Sequence, residues 1–162
     1  TAYFGFGVAF CVCGYLLGTL VCRYLLSRTN VQRTLRTGAT LALGGGATMA
    51  ALAGAGVHHW AAVLGPAFVV FLAHGVNFPC GQAGSVAPFA RLAGAAAGLF
   101  GFLVMAVAAL TGAWIGATHN GTVCPLVLTM AAHGAVVFAT VFGWVARLGP
   151  RAAAGAAADP GV

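Results

Sequence analysis

The sequence predicts an all-α polytopic membrane protein with five transmembrane helices, and three observations carry that prediction. No Asp, Glu, Lys or Arg occurs in residues 1–22, 37–90 or 92–146. Hydrophobic residues make up 61% of the chain and charged residues 5%, and the mean hydropathy is +1.00. Ordinary soluble domains carry roughly a quarter charged residues, so these stretches have to be solvated by lipid. All seven arginines fall between the apolar stretches or beyond them, and there is no lysine.

The five spans are expected at about residues 3–26, 34–57, 60–78, 93–117 and 122–146, within a single transmembrane bundle covering 1–150. Each is long enough for a bilayer, which takes about 20 residues of helix. Ser27-Arg28-Thr29-Asn30 closes the first span and offers N-cap residues to the second. His58-His59-Trp60 forms an outer turn with the composition of an interfacial belt. Pro79 and Pro88 bracket a glycine-rich break after the third span. His119-Asn120-Gly121 reads as a tight turn, with Thr122 and Pro125 opening the last helix. Residues 151–162, rich in Ala and Gly, have nothing to pack and are expected to be a disordered cytoplasmic tail.

The loop charges alternate, which sets the expected direction of each span. Arg23, Arg28, Arg33 and Arg36 surround the first loop, Arg91 lies in the third, and Arg147 and Arg151 follow the last span. The second and fourth loops carry none. Basic loops stay in the cytoplasm, so Thr1 is expected outside and the C-terminus inside. An external start, an odd number of spans and the lack of a basic flank before the first apolar segment lead to the expectation that a longer protein has been cut before Thr1.

Little in the sequence can do covalent chemistry. The only acidic residue is Asp159, so no carboxylate pair exists for acid–base catalysis, hard-cation binding or a proton relay. The formal charge of +6 comes without a dense basic run or an aromatic face beside one, and no nucleic-acid partner is expected. Cys11, Cys13, Cys22, Cys80 and Cys124 show no CxxC spacing and read as small apolar-helix residues; no metal and no cofactor are assigned. Gly14-x-x-x-Gly18, Gly94-x-x-x-Gly98 and Gly112-x-x-x-Gly116 are helix-packing signals. Gly44-Gly45-Gly46 lacks the following Lys of a phosphate loop and is expected to be a loosely wound piece of helix. Asn120-Gly121-Thr122 matches a glycosylation pattern by chance, since it lies hard against the membrane.

The most distinctive text runs from His74 through Asn77, Pro79 and Gln82 to Pro88-Phe89. A helix break there would leave Asn77 and Gln82 beside unwound backbone, which membranes tolerate only when it is buried in protein or lines a wet cavity. Asn77 and Gln82 are therefore candidate cavity residues, weighed against a plain helix end capped by Pro and Gly. His74 and His133 lie within spans and are the only in-membrane groups able to titrate near neutral pH. His74 is a candidate proton-coupling residue.

That stretch, with Ala93-Gly94-Ala95-Ala96-Ala97-Gly98-Leu99-Phe100-Gly101-Phe102 after it, resembles the major facilitator superfamily. More narrowly it is similar to the bicyclomycin/chloramphenicol-resistance branch of drug:proton antiporters, over most of residues 3–148. Ala90 and Gly98 depart from that branch, which often has Pro at the first position and Ser or Ala at the second. The resemblance implies that the five spans are helices eight to twelve of a twelve-helix carrier in a bacterial inner membrane. It implies alternating access by two six-helix bundles, with a drug-like substrate exchanged for protons and the missing N-terminal half as partner. It also nominates Phe4, Phe10, Tyr15, Phe68, Phe71, His74, Phe102 and Met105 as cavity residues. No enzyme activity is expected. The alternatives are a redox subunit with haem between His74 and His133, and a non-catalytic membrane assembly protein. An intramembrane protease using Ser85 is weaker, because that serine is expected in a cytoplasmic loop, its flanks lack the family-specific glycine pattern, and no dyad spacing supports it.

Overall fold

A computed structural model describes residues 2–57 and 59–145, without the side chains at 2–4, 144 and 145. The described residues form five α-helices and no strands: α1 Ala2–Arg28, α2 Val31–Gly54, α3 Trp60–Val86, α4 Ala93–Ala117 and α5 Cys124–Thr140. A 3₁₀ segment, Ala87–Leu92, joins α3 to α4, and a π-helical turn, Val141–Val145, follows α5. The expectations for His58, Arg147, Arg151 and the 151–162 tail lie outside the described residues.

Three helical stretches are long and apolar enough to cross a membrane: Gly5–Arg28, the 58-residue run Trp60–Ala117, and Cys124–Gly143. Helix α2 is not among them, because Gln32, Arg33, Thr34, Arg36, Thr37 and Thr40 dilute its first half. The hydroxyls within these helices turn back onto their own backbone. Thr19 donates to the Leu16 carbonyl at 2.7 Å, Ser85 to Gly81 at 2.8 Å and Thr129 to Pro125 at 2.6 Å. Such back-bonding satisfies a polar group where no water is at hand.

The helices lie in the spatial order α1–α3–α2–α5, with α4 to one side. Helices α1 and α3 run parallel in a fixed register, Phe10 meeting Phe68 and Cys22 meeting Cys80 at the same offset of 58 residues. Helix α2 is antiparallel to both of its neighbours, with Gly38 against Asn77 and Gly45 against Val70 on α3, and Gly46 against Ala131 on α5. Its buried face is Thr34, Gly38, Ala39, Ala42, Gly45, Gly46 and Met49, a stripe at helical spacing made almost wholly of small residues. Helix α4 buries no residue at all.

The caps follow the sequence. Asn30 caps α2 by accepting from the Arg33 amide at 2.9 Å. The His59 ring accepts from the Ala61 amide at 3.3 Å to cap α3. At the last turn Gly121 adopts a positive φ of 76°, and Asn120 accepts from both the amide and the hydroxyl of Thr122.

Three expectations need correction. Helix α3 does not end at Phe78: it continues through Pro79 to Val86, so the backbone beside Asn77 and Gln82 is wound. One missing N–H costs less in apolar surroundings than a whole unwound turn of unpaired amides. The departure from helical geometry comes later, at Phe89 (φ −115°, ψ 44°), just after Pro88. Gly44-Gly45-Gly46 is regular α-helix rather than loosely wound, because Gly45 and Gly46 are clamped between α3 and α5. Of the three glycine pairs only Gly14/Gly18 packs on a neighbour; at Gly94, Gly98, Gly112 and Gly116 a Cβ would meet nothing within 4 Å.

Candidate functional site

Aromatic rings from three helices meet in two groups. Phe10 on α1 lies 4.7 Å from Phe68 on α3, centroid to centroid. Five and six residues further along, and so turned to another side of the two helices, Tyr15 is 5.7 Å from the His74 ring, His74 is 5.3 Å from Phe78, and Phe78 is 5.7 Å from Phe100 on α4. These separations and their tilted planes are those of favourable aromatic pairs. The groups exist because α1 and α3 pack backbone against backbone. A side chain at Gly75 would strike the Tyr15 carbonyl, and one at Gly18 would strike that of Leu72. With the helix axes this close, rings flanking the glycines meet across the seam.

Four nominated residues therefore form two aromatic pairs, Phe10 with Phe68 and Tyr15 with His74, and the second is extended by Phe78 and Phe100 into one surface. His74 is exposed on that surface, its neighbours being rings and not a carboxylate. The other nominations part company with it. Phe71 packs instead against the core cluster of Cys11, Met49, Ala67 and Val127, between helices. Asn77 faces α2, its amide pressed on Gly38 and its Oδ1 buried without a partner. Gln82 is exposed on the last turns of α3. Phe102 and Met105 are 68% and 67% exposed on α4, two and five residues from Phe100 and so turned well away from it. The Phe4 side chain lies outside the described residues.

A second feature was not legible in the sequence. Helices α4 and α5 diverge into a groove of about 690 Å³, lined by Leu110, Trp114, Asn120, Leu128, Thr129 and His133 among others. His133 is held there by an Nδ1 contact of 2.8 Å to the Thr129 carbonyl, so Nδ1–H donates and Nε2 is left as the acceptor. His133 lines this groove and His74 does not; His74 belongs to the aromatic group of α1, α3 and α4.

The five described arginines cluster at one end of the bundle. Arg23 and Arg28 end α1, Arg33 and Arg36 begin α2, and Arg91 lies in the 3₁₀ segment. The Arg36 guanidinium sits 5.6 Å from the Phe142 ring on the π turn, a cation–π contact that brings the end of α5 to the same level. Among the described residues no group of three or more His, Cys, Asp or Glu side chains could hold a metal ion. Comparison with family models, with curated proteins and with solved structures finds no match to this chain.

Proposed function

We propose that the chain is the C-terminal part of a multi-pass secondary carrier that exports amphipathic, drug-like molecules in exchange for protons. The observation that carries this reading is the aromatic group Tyr15–His74–Phe78–Phe100, drawn from three apolar helices, with His74 exposed within it. Such a surface suits flat apolar substrates, and an imidazole among them can change charge near neutral pH.

The five-span reading gains support from two features. A straight 58-residue helix would be about 87 Å long, against about 30 Å of hydrocarbon, so Trp60–Ala117 has to fold back. The Phe78–Phe100 contact is such a return, with its bend at Phe89. Helix α2 then crosses beside them as the fifth span, its arginines at the interface and its glycine face inward. In this reading, by the positive-inside rule, the arginine end and with it the end of α5 face the cytoplasm, the membrane being a bacterial inner membrane.

The exposed α4 and the groove beside α5 fit a bundle that is completed by further helices. Helix α3 nests against α1 and α2, whereas α4 and α5 lack a corresponding occupant. Alternating access would rock this bundle against a second one. Efflux of a hydrophobic fluorescent drug from cells carrying the complete protein tests the reading. Tyr15→Ala and Phe78→Ala should each reduce efflux several-fold while leaving expression unchanged. Undiminished efflux in both variants would overturn it.

A further inference from the structure

Cys22 on α1 and Cys80 on α3 are both buried, 2% and 5% exposed, and their sulfurs lie 3.5 Å apart. They sit about one turn beyond the Gly18–Gly75 contact, where the two parallel backbones touch. The surrounding side chains are Val21, Leu25, Leu35, Leu72 and Val76, all apolar. We infer that these two thiols form a site for a monosubstituted trivalent arsenical, a neutral thiophile of the type R–As(OH)₂.

Sulfur spacing and charge select that ligand over its rivals. A disulfide requires about 2.05 Å between sulfurs, shorter than the 3.5 Å observed here. A linear two-coordinate d¹⁰ cation, taking bonds of about 2.3 Å as for zinc thiolates, requires about 4.6 Å and therefore spreads them. Two bonds of that length meeting near a right angle at a pyramidal arsenic place the sulfurs about 3.3 Å apart. That matches the observed separation without moving either helix. Charge points the same way. Condensation of two thiols with R–As(OH)₂ forms two As–S bonds, breaks two As–O and two S–H bonds, and releases two waters. No electron is transferred, and the product R–As(SR)₂ is neutral. A monovalent cation held by two thiolates would instead bury net negative charge among valines and leucines, at high cost. The substituent R, methyl or phenyl, meets apolar side chains only: Val21, Leu25, Leu35, Leu72 and Val76.

The test uses the purified protein in lipid nanodiscs with phenylarsine oxide. The expected result is one phenylarsenic adduct per chain by intact mass, with loss of maleimide labelling at Cys22 and Cys80. A dithiol such as dimercaptopropanol should reverse the adduct where an equal concentration of monothiol does not. Cys22→Ser and Cys80→Ala should each abolish it, whereas Cys11→Ser, Cys13→Ser and Cys124→Ser should leave it intact. Absence of the adduct in the unaltered protein, or its persistence in the Cys22→Ser/Cys80→Ala double variant, would overturn the assignment. Neither outcome depends on transport, so the result stands apart from the carrier reading.

Discussion

Asn77 and His74 sit within one turn of each other on α3, yet they answer to different helices. His74 joins rings from α1 and its own helix, while Asn77 is pressed onto Gly38 of α2. A polar side chain in a membrane helix invites a functional reading, and sequence reasoning gave one to both. The difference between them lies in the partner, which no local pattern encodes. Substituting His74 by Ala in the complete protein should alter the pH dependence of drug efflux, because it removes the one titratable group on the aromatic surface able to change charge near neutral pH. A profile superimposable on that of the parent would eliminate a proton-coupling role. Asn77→Leu conserves branching and removes a buried oxygen that lacks a partner. It should raise thermal stability by about 1 kcal/mol and leave efflux unchanged. A loss of efflux without a loss of stability would mean that Asn77 meets substrate after all.

The helices themselves were largely written in the local sequence. Apolar length set their number, the arginine and asparagine clusters set where α1 stops and α2 starts, and Asn120-Gly121-Thr122 set the last turn. The misread element was the end of α3. Prolines stop helices in water, where unwound backbone finds other partners, but in lipid the same backbone has none. The glycines were misjudged for a related reason, since their role is decided by what lies opposite. Gly75 and Gly98 look alike in sequence, yet one touches the α1 backbone and the other has open space. Gly75→Val should therefore destabilise the bundle by more than about 2 kcal/mol, since its collision is with backbone that cannot swing aside. Gly98→Ala should be neutral or stabilising by about 0.5 kcal/mol, as expected for a helix interior freed of a glycine. Thermal unfolding in detergent compares the two directly.

At the scale of the whole molecule the gathering of arginines at one end makes the topology testable. Cys124 opens α5 at the opposite end and is exposed, whereas Ser85 lies near the arginine end of α3. A membrane-impermeant maleimide added to intact cells should label Cys124 and spare a Ser85→Cys replacement, with peptide mass spectrometry identifying the site. Labelling of position 85 alone would invert the orientation and remove the carrier assignment with it. The sequence alone determined that this chain is helical, with stretches apolar enough to cross a membrane and its arginines segregated from them, because hydropathy and charge act over single segments and need no partner. Only the tertiary structure decided which helices touch, which glycines are seams, and which aromatic rings, polar groups and thiols meet. Those pairings depend on contacts between residues distant in the chain, 58 positions apart for Cys22 and Cys80, brought together where helices approach closely enough to touch.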